Sequence, residues 1–375
     1  MGYVAIKGGE DAIANAAVLV DYYRLKDAVK PIEIEQIRTQ FRYLIDKIMG
    51  EGSIYAPEHA AIALKQVEGD VFESAFILRA FRATLRRNYY SDVIDTRNMV
   101  VERRISSAFR EIPGGQILGP TRDYTQRLLD PGIASETFGS ITEFLDEFES
   151  AGSDKEDIRT FGKVIDLLRE EGLLRGVEQD PDKRVLDITR EAVKFPAPRS
   201  ARLQMLARSE TGGLMCLAYS AQRGFGSAHP TIGELRVGKT KIVVQDGKGR
   251  KRSIGRIRIT ETEMISKIHV PNKDSVPYLS MGYGLCFGHN ETKAISAGIL
   301  DRTMRIPGIN PSESQEFVLY HTEGVESYGF TNHLKLPHYV TFQSGLNNLR
   351  QAVQRKEKER EKWRVGSVRR EDQKK

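Results

Sequence analysis

Apolar residues recur at helical spacing through the first 85 residues of the chain. After Pro31, apolar side chains at positions 34, 37, 41, 44, 45 and 48 share one helical face, and the run ends at the glycines of 50–52. The same spacing predicts helices over 12–20, 34–48, 60–67 and 71–85, after a short predicted strand at 3–6. We therefore expect the N-terminal part to be mainly helical.

The pattern changes between residues 234 and 265. The stretches 242–244 and 254–259 are rich in β-branched residues, and the sequence DGKG at 246–249 between them is typical of a turn. A β-hairpin over 241–259 is predicted, followed by a glycine-rich segment at 282–288 and a helix over 291–304. The predicted fold class is α+β, with a mainly helical N-terminal part, a hairpin-containing second half and a charged C-terminal helix.

Shifts in composition predict four regions. Residues 1–130 form the mainly helical region, and 131–198 form a variable, acidic helical insert with one amphipathic stretch at 158–174. Residues 199–345 form an α/β region with glycine-rich loops and a histidine motif. Residues 346–375 form the charged C-terminal helix or tail.

Composition narrows the class of protein. Apolar residues make up 39% and charged residues 29% of the 375 residues, and there are only two cysteines, Cys216 and Cys286. This balance is typical of a soluble protein in a reducing compartment, and no export signal or membrane-spanning stretch is recognised, so a cytoplasmic location is expected. The basic surplus is confined to 350–375, with eleven Lys and Arg against five Asp and Glu. Since the rest of the chain is balanced, nucleic-acid binding is not expected.

One motif is a false match. Residues 233–240 satisfy the phosphate-loop pattern GxxxxGK[ST], which requires a strand before the loop and a helix after it. Here Thr240 leads directly into the predicted hairpin, so we do not expect phosphate binding at this loop.

Two other stretches carry polar groups in suggestive patterns. Residues 218–230 crowd hydrogen-bonding side chains among glycines, as an anion site would. Glu261 and Glu263 fall on one face of a predicted strand, as paired carboxylates do, although a solvated strand end has the same pattern more often.

The histidines offer candidate metal ligands. Cys286 and His289 lie close in sequence, but packing explains such a pair more often than metal binding. His333 and His338, with Pro337 between them, converge on one ion if the segment turns. The residues alone favour two unrelated histidines, because the remaining ligands would have to come from His321, another chain or substrate.

Several motifs in a fixed order carry a family resemblance. They are YVAIKGGE (3–10), ERRIS (102–106), IPGGQILGPT (112–121), DYT (123–125), AYSAQRG (218–224), GYG (282–284) and FTNHLKLPHYV (330–340). The chain closely resembles the PhnI family, the I subunit of the bacterial carbon–phosphorus lyase core complex. The likeness spans about residues 1 to 345, is weak over 131–198 and is absent beyond 355.

The resemblance implies a role in phosphonate catabolism. In that family the subunit alone is a purine nucleotide nucleosidase acting on ATP or GTP. With partner subunits it displaces adenine from ATP by methylphosphonate, giving α-D-ribose 1-methylphosphonate 5-triphosphate. The implied partners are the G, H and J subunits, with the ATPase-like K and L subunits. The family's metal histidines correspond to His333 and His338, implying zinc shared with a partner subunit.

The implied reaction inverts C1′ through a transition state of oxocarbenium character. It needs an acid for the departing purine, a negative charge near the developing cation, and basic groups on the phosphates. The sequence offers Glu261 and Glu263 as catalytic carboxylates, and Gln222, Arg223 and Lys335 for phosphate or phosphonate. The alternative is a scaffold subunit that contributes half of a metal site to a partner's active site.

Overall fold

A computed structural model describes residues 9–150, 160–174, 185–226, 229–269, 277–305 and 308–372. The helices there are α1 (Glu10–Leu25), α2 (Ile34–Gln40), α3 (Arg42–Gly52), α4 (Pro57–Gln66), α5 (Val71–Thr84), α6 (Phe138–Ser150), α7 (Val164–Glu170), α8 (Arg199–Arg208), α9 (Thr211–Ser220), α10 (Glu291–Thr303), α11 (Gln315–His321), α12 (Gly324–His333) and α13 (Tyr339–Asp372). The strands are β1 (Val100–Ile105), β2 (Thr231–Gln245), β3 (Lys251–His269) and β4 (Tyr278–Phe287). The α+β class is confirmed, whereas the strand predicted at 3–6 lies outside the described residues.

Helices α2 to α5 form the predicted helical region. Their buried core includes Ile45, Ile48 and Leu78. The prediction of one helix over 34–48 is wrong at Phe41, whose ψ of 38° is not helical. Phe41 caps the end of α2 and the start of α3, so the two are separate helices, and they pack against α4 and α5.

The sheet is antiparallel, with strand order β1-β2-β3-β4. The predicted hairpin is confirmed as β2 and β3, which are longer than expected and turn where the Gly249 amide donates to the Asp246 carbonyl at 2.8 Å. Residues 233–240 lie inside β2 with no helix after Thr240, which confirms that the phosphate-loop match is false. Strand β1, which no sequence pattern predicted, pairs with β2 at the edge of the sheet.

Strand β4 corrects the interpretation of residues 282–288 as a glycine-rich loop. It pairs with β3 throughout, and α10, confirmed close to its predicted bounds, packs across one face of both strands. A Cβ atom at Gly282 would lie 2.0 Å from the Gly298 carbonyl oxygen, and one at Gly284 would lie 2.0 Å from that of Ala294. These two glycines therefore allow the close approach of strand and helix.

The acidic insert is helical only in part. Within the amphipathic stretch predicted over 158–174, the helix that the structure describes is α7. Helix α6 lies earlier in the insert and has no buried residue. By contacts the chain divides into two compact units, residues 27–327 and residues 1–26 with 328–375. The four predicted regions stay a prediction. Among the described helices, none combines the length and apolar character that a membrane crossing requires.

Candidate functional site

A cavity of about 670 Å³ lies on the sheet face opposite α10. Its floor consists of alternate residues of β3 and β4, because residues two apart point to the same face of a strand. These floor residues are Ile257, Ile259, Glu261 and Glu263 on β3, and Met281, Tyr283, Leu285 and Phe287 on β4. Residues around Thr96, around α7 and at the start of α8 form the walls.

The two predicted carboxylates lie on this floor. Glu261 and Glu263 share one face of β3, as expected from their spacing, and are 1% and 3% exposed. They are therefore not a solvated strand end. The β2 register sets Arg236 opposite Glu261 and Glu234 opposite Glu263, so that charged side chains of both strands meet on one face.

Glu261 is held by four neighbouring groups. Its Oε1 accepts from Lys163 Nζ at 2.6 Å, from Thr96 Oγ1 at 2.8 Å and from the Tyr283 hydroxyl at 2.8 Å. Its Oε2 accepts from Arg236 Nη2 at 2.5 Å. Burial alone would raise the pKa of Glu261, but the charges of Arg236 and Lys163 outweigh it and lower that pKa to about 2. Glu261 is thus a fixed negative charge at neutral pH.

Glu263 has the opposite electrostatic character. Its Oε1 accepts from Lys163 Nζ at 2.8 Å, while its buried Oε2 has no hydrogen-bond partner among the described residues. Burial raises the pKa of Glu263 to about 7, and the nearby charge of Glu261 adds to the rise. Two adjacent carboxylates therefore share one lysine but differ in protonation, which is the arrangement expected of an acid and a stabilising anion.

A further ion pair fixes Lys163 in place. Arg104 Nε donates to Glu234 Oε1 at 2.5 Å, and the second oxygen of Glu234 accepts from the Val164 amide at 3.1 Å. Arg104 Nη2 also donates to the Gly162 carbonyl at 2.9 Å. The backbone on both sides of Lys163 is thus tied to the sheet, which positions its ammonium between the carboxylates.

The cavity changes polarity along its length. Ile257, Ile259, Leu285 and Phe287 form an apolar end beyond Glu261. At the other end the guanidinium of Arg199 lies 5.9 Å from the ring centroid of Tyr283. Arg97 and Arg169 add positive charge to the wall, each hydrogen-bonded to Asp166. The cavity wall is therefore apolar at one end and charged at the other.

Four groups that contact Glu261 were not predicted from the sequence, namely Lys163, Arg236, Thr96 and Tyr283. A signal for Arg236 was present, since Glu234 and Arg236 alternate with Leu235 and Val237 along the strand. That alternation was hidden by the false phosphate-loop match. Lys163 and Thr96 gave no local signal.

The predicted anion-binding residues at 222 and 223 are not among those that line this cavity. Gln222 Nε2 donates to the Pro230 carbonyl at 2.8 Å, so its amide serves the local chain. Arg223 is exposed, with its guanidinium 5.8 Å from the Tyr219 ring centroid. Their role in phosphate binding stays a prediction.

The predicted metal histidines lie close together in the unit formed by the two chain ends. The ring centroids of His333 and His338 are 5.1 Å apart. Each Nδ1 faces a carbonyl oxygen, that of Phe330 for His333 and that of Leu336 for His338. Because a carbonyl only accepts, both Nδ1 atoms carry the proton and both Nε2 lone pairs remain for a metal.

The histidine pair does not form a complete site within this chain. Across the residues that the structure describes, no group of three or more His, Cys, Asp and Glu side chains could hold a metal ion. Lys335 is exposed between the two histidines. Cys286 and His289 have other contacts, since the buried thiol donates to the Asn290 carbonyl at 3.5 Å and His289 Nε2 pairs with Glu291 at 2.8 Å.

Comparison with known proteins identifies the chain's relatives. A family model of bacterial phosphonate metabolism proteins, PhnI, matches residues 2–357. The chain is 43% identical over 356 residues to a protein of Rhizobium meliloti, covering 93% of this chain and 94% of the relative. It is 41% identical over 360 residues to a protein of Escherichia coli, covering 94% and 98%. Both are named alpha-D-ribose 1-methylphosphonate 5-triphosphate synthase subunit PhnI.

Proposed function

The chain belongs to the PhnI family of bacterial phosphonate metabolism proteins, and on that premise we propose that it is a subunit of a ribosyl methylphosphonate triphosphate synthase complex. We further propose that this subunit is a purine nucleotide nucleosidase. The observation that carries the second step is the pair of buried carboxylates on the cavity floor, whose pKa values are shifted in opposite directions.

The two carboxylates fit the two charges that develop when a glycosidic C–N bond breaks. Glu261, ionised and held by four donors, would face the ribose as C1′ becomes cationic. Glu263, with its pKa near 7, would protonate the departing purine. Lys163 is the positioning residue, because it contacts both carboxylates.

The order of the two carboxylates along β3 orients the nucleotide. The ribose would lie over Glu261, and the purine would lie over Glu263, beside Tyr283 and Met281, so that the protonated carboxyl can reach the departing base. In the full complex, the attacking group would be the methylphosphonate oxygen, bonding to C1′ as adenine leaves.

The histidine pair supports a second role within the same complex. Two imidazoles with open Nε2 atoms fit zinc, and the remaining ligands would come from a partner subunit or a phosphate oxygen. When bound, zinc would act as a Lewis acid on a coordinated phosphate oxygen. We propose that the J subunit shares this ion and that the G and H subunits complete the core, with the K and L subunits as further partners. Lys335 would meet the phosphate end of the ligand.

The test is adenine release by the purified chain. Incubated with ATP, the isolated subunit should release free adenine, which a pure scaffold would not do. Glu263→Gln keeps the shape of the protonated side chain but removes the acidic proton that the purine would take. Adenine release should therefore fall by about 10²- to 10⁴-fold. The exposed Glu316→Gln is the matched control and should leave the rate unchanged.

Two outcomes would refute the nucleosidase proposal. The first is that a folded wild-type chain releases no adenine at any concentration of ATP. The other is an unchanged rate in a folded Glu263→Gln variant. The first outcome, together with intact synthesis by the reassembled complex, would favour the scaffold alternative.

A further inference from the structure

Helix α6 has an apolar stripe that nothing in the described chain covers. Phe138, Ile141, Phe144, Leu145 and Phe148 are 85%, 42%, 65%, 49% and 66% exposed. At 100° per residue, they occupy about one third of the helix circumference. A helix of 13 residues is marginal in water without packing, and this one has no buried residue. The stripe is therefore expected to be covered in the assembled protein.

The charged residues of α6 are all acidic. Glu143, Asp146, Glu147 and Glu149 are its only charged residues, so the helix carries four negative charges and no positive ones. By their positions around the helix, Glu147 and Glu149 flank the stripe on opposite sides, and Glu143 lies on the far side. The surface that receives this helix must then combine apolar contacts with basic edges.

We propose that α6 is a docking helix that inserts its apolar stripe into a groove of another subunit of the complex, a groove rimmed by Lys and Arg side chains. This mode of recognition, an amphipathic helix in an apolar groove, is anchored at the i, i+3, i+4 and i+7 positions. Here those anchors are Ile141, Phe144, Leu145 and Phe148, and the helix is about 20 Å long. The inference rests on the proposed membership of a complex.

Charge argues against two other occupants, the same helix of a second copy and an anionic lipid surface. The α6 helix of a second copy carries the same four negative charges, so two such helices would repel each other. An anionic lipid surface would repel the helix for the same reason, since membrane-surface helices carry Lys and Arg on their polar face. The described part of α13 is a single, strongly polar helix, and a single helix presents no groove.

The experiment is site-specific photocrosslinking in the full-length chain, co-expressed with the other subunits of the synthase complex. The photoreactive residue p-benzoylphenylalanine replaces Phe144 on the stripe or, as the matched control, Glu143 on the opposite face. After irradiation, we expect position 144 to crosslink to a different subunit and position 143 to give at least about tenfold less product. Mass spectrometry of the crosslinked peptide should identify a segment with Lys or Arg beside apolar residues.

A second measurement tests the proposal without the photoreactive residue, in case the labelled chain does not fold. Phe144→Asp with Phe148→Asp should weaken assembly, measured by native mass spectrometry, by at least tenfold, while adenine release by the isolated chain stays unchanged. Crosslinks within the chain, to a second copy or to lipid, or none at all, would overturn the docking proposal. If the unmodified chain fails to assemble, the complex proposed above fails as well. A complex that assembles without contact at α6 overturns only this inference.

Discussion

The carboxylate pair of β3 and the histidine pair, formed by the last residue of α12 and the residue before α13, show how differently two candidate sites are built in one chain. Glu261 and Glu263 are buried, and cations from β2 and from the residue before α7 hold them in place. His333 and His338 are more exposed, and their Nδ1 contacts are to carbonyls within three residues. The carboxylates find their charged partners within this chain, whereas the histidines supply only two of the ligands that a metal needs.

The buried carboxylates and the exposed histidines should contribute differently to the stability of the fold. Removing one partner from a buried charge network leaves an uncompensated charge and is costly, whereas exposed groups contribute little. The carboxylate cluster should therefore respond to mutation in both folding and catalysis. The histidine pair should respond only when partner subunits are present.

The largest effect is expected from Lys163→Met. It removes the cation shared by Glu261 and Glu263, so the free energy of unfolding should fall by about 3–5 kcal/mol in chemical denaturation. The control is Lys335→Met at the exposed lysine between the histidines, which should stay within about 0.5 kcal/mol of wild type. Equal losses from the two substitutions would show that the cluster is not the more strongly coupled site.

The next largest effect is expected in the pH dependence of adenine release. With Glu263 as the acid, kcat/KM should fall above an apparent pKa of about 7, by about tenfold per pH unit. Residual activity of Glu263→Gln should lack this basic limb. A limb of the same pKa in the variant would assign the titration to another group.

Stability should follow pH in a direction set by the same group. The pKa of Glu263 is raised from 4.5 to about 7 in the folded chain, so its contribution to stability is present below about pH 4.5 and is lost as the pH rises through 7. Glu263→Gln should therefore gain stability relative to wild type across that window, measured by urea denaturation at each pH. A difference that stays constant with pH would contradict the raised pKa.

The smallest effect on the isolated chain is expected from His333→Ala combined with His338→Ala. The free energy of unfolding should change by less than about 0.5 kcal/mol, and adenine release should be spared, because both side chains make only local contacts. Phosphonate breakdown by the full complex should nevertheless be lost. If adenine release is lost while the fold survives, the two pairs are not separate sites.

Most helices and the central hairpin could be predicted because their patterns are local. The spacing of apolar residues predicted α4, α5 and α10, and the turn sequence after Gln245 predicted the hairpin. Strands β1 and β4 were missed because their sequences violate the local rules. The first places Arg103 and Arg104 in the interior, and the second contains the glycines that α10 requires.

The sequence by itself determined the α+β class, the shared face of Glu261 and Glu263, and the family to which the motifs point, because strand periodicity and motif order are properties of the chain alone. Only the tertiary structure decided that these carboxylates are buried and differently protonated. Burial raises both pKa values, Lys163, 98 residues from Glu261, acts on both, and Arg236, brought across by the β2 register, lowers that of Glu261. Burial and Coulomb interactions act through space, so no local pattern could reveal them.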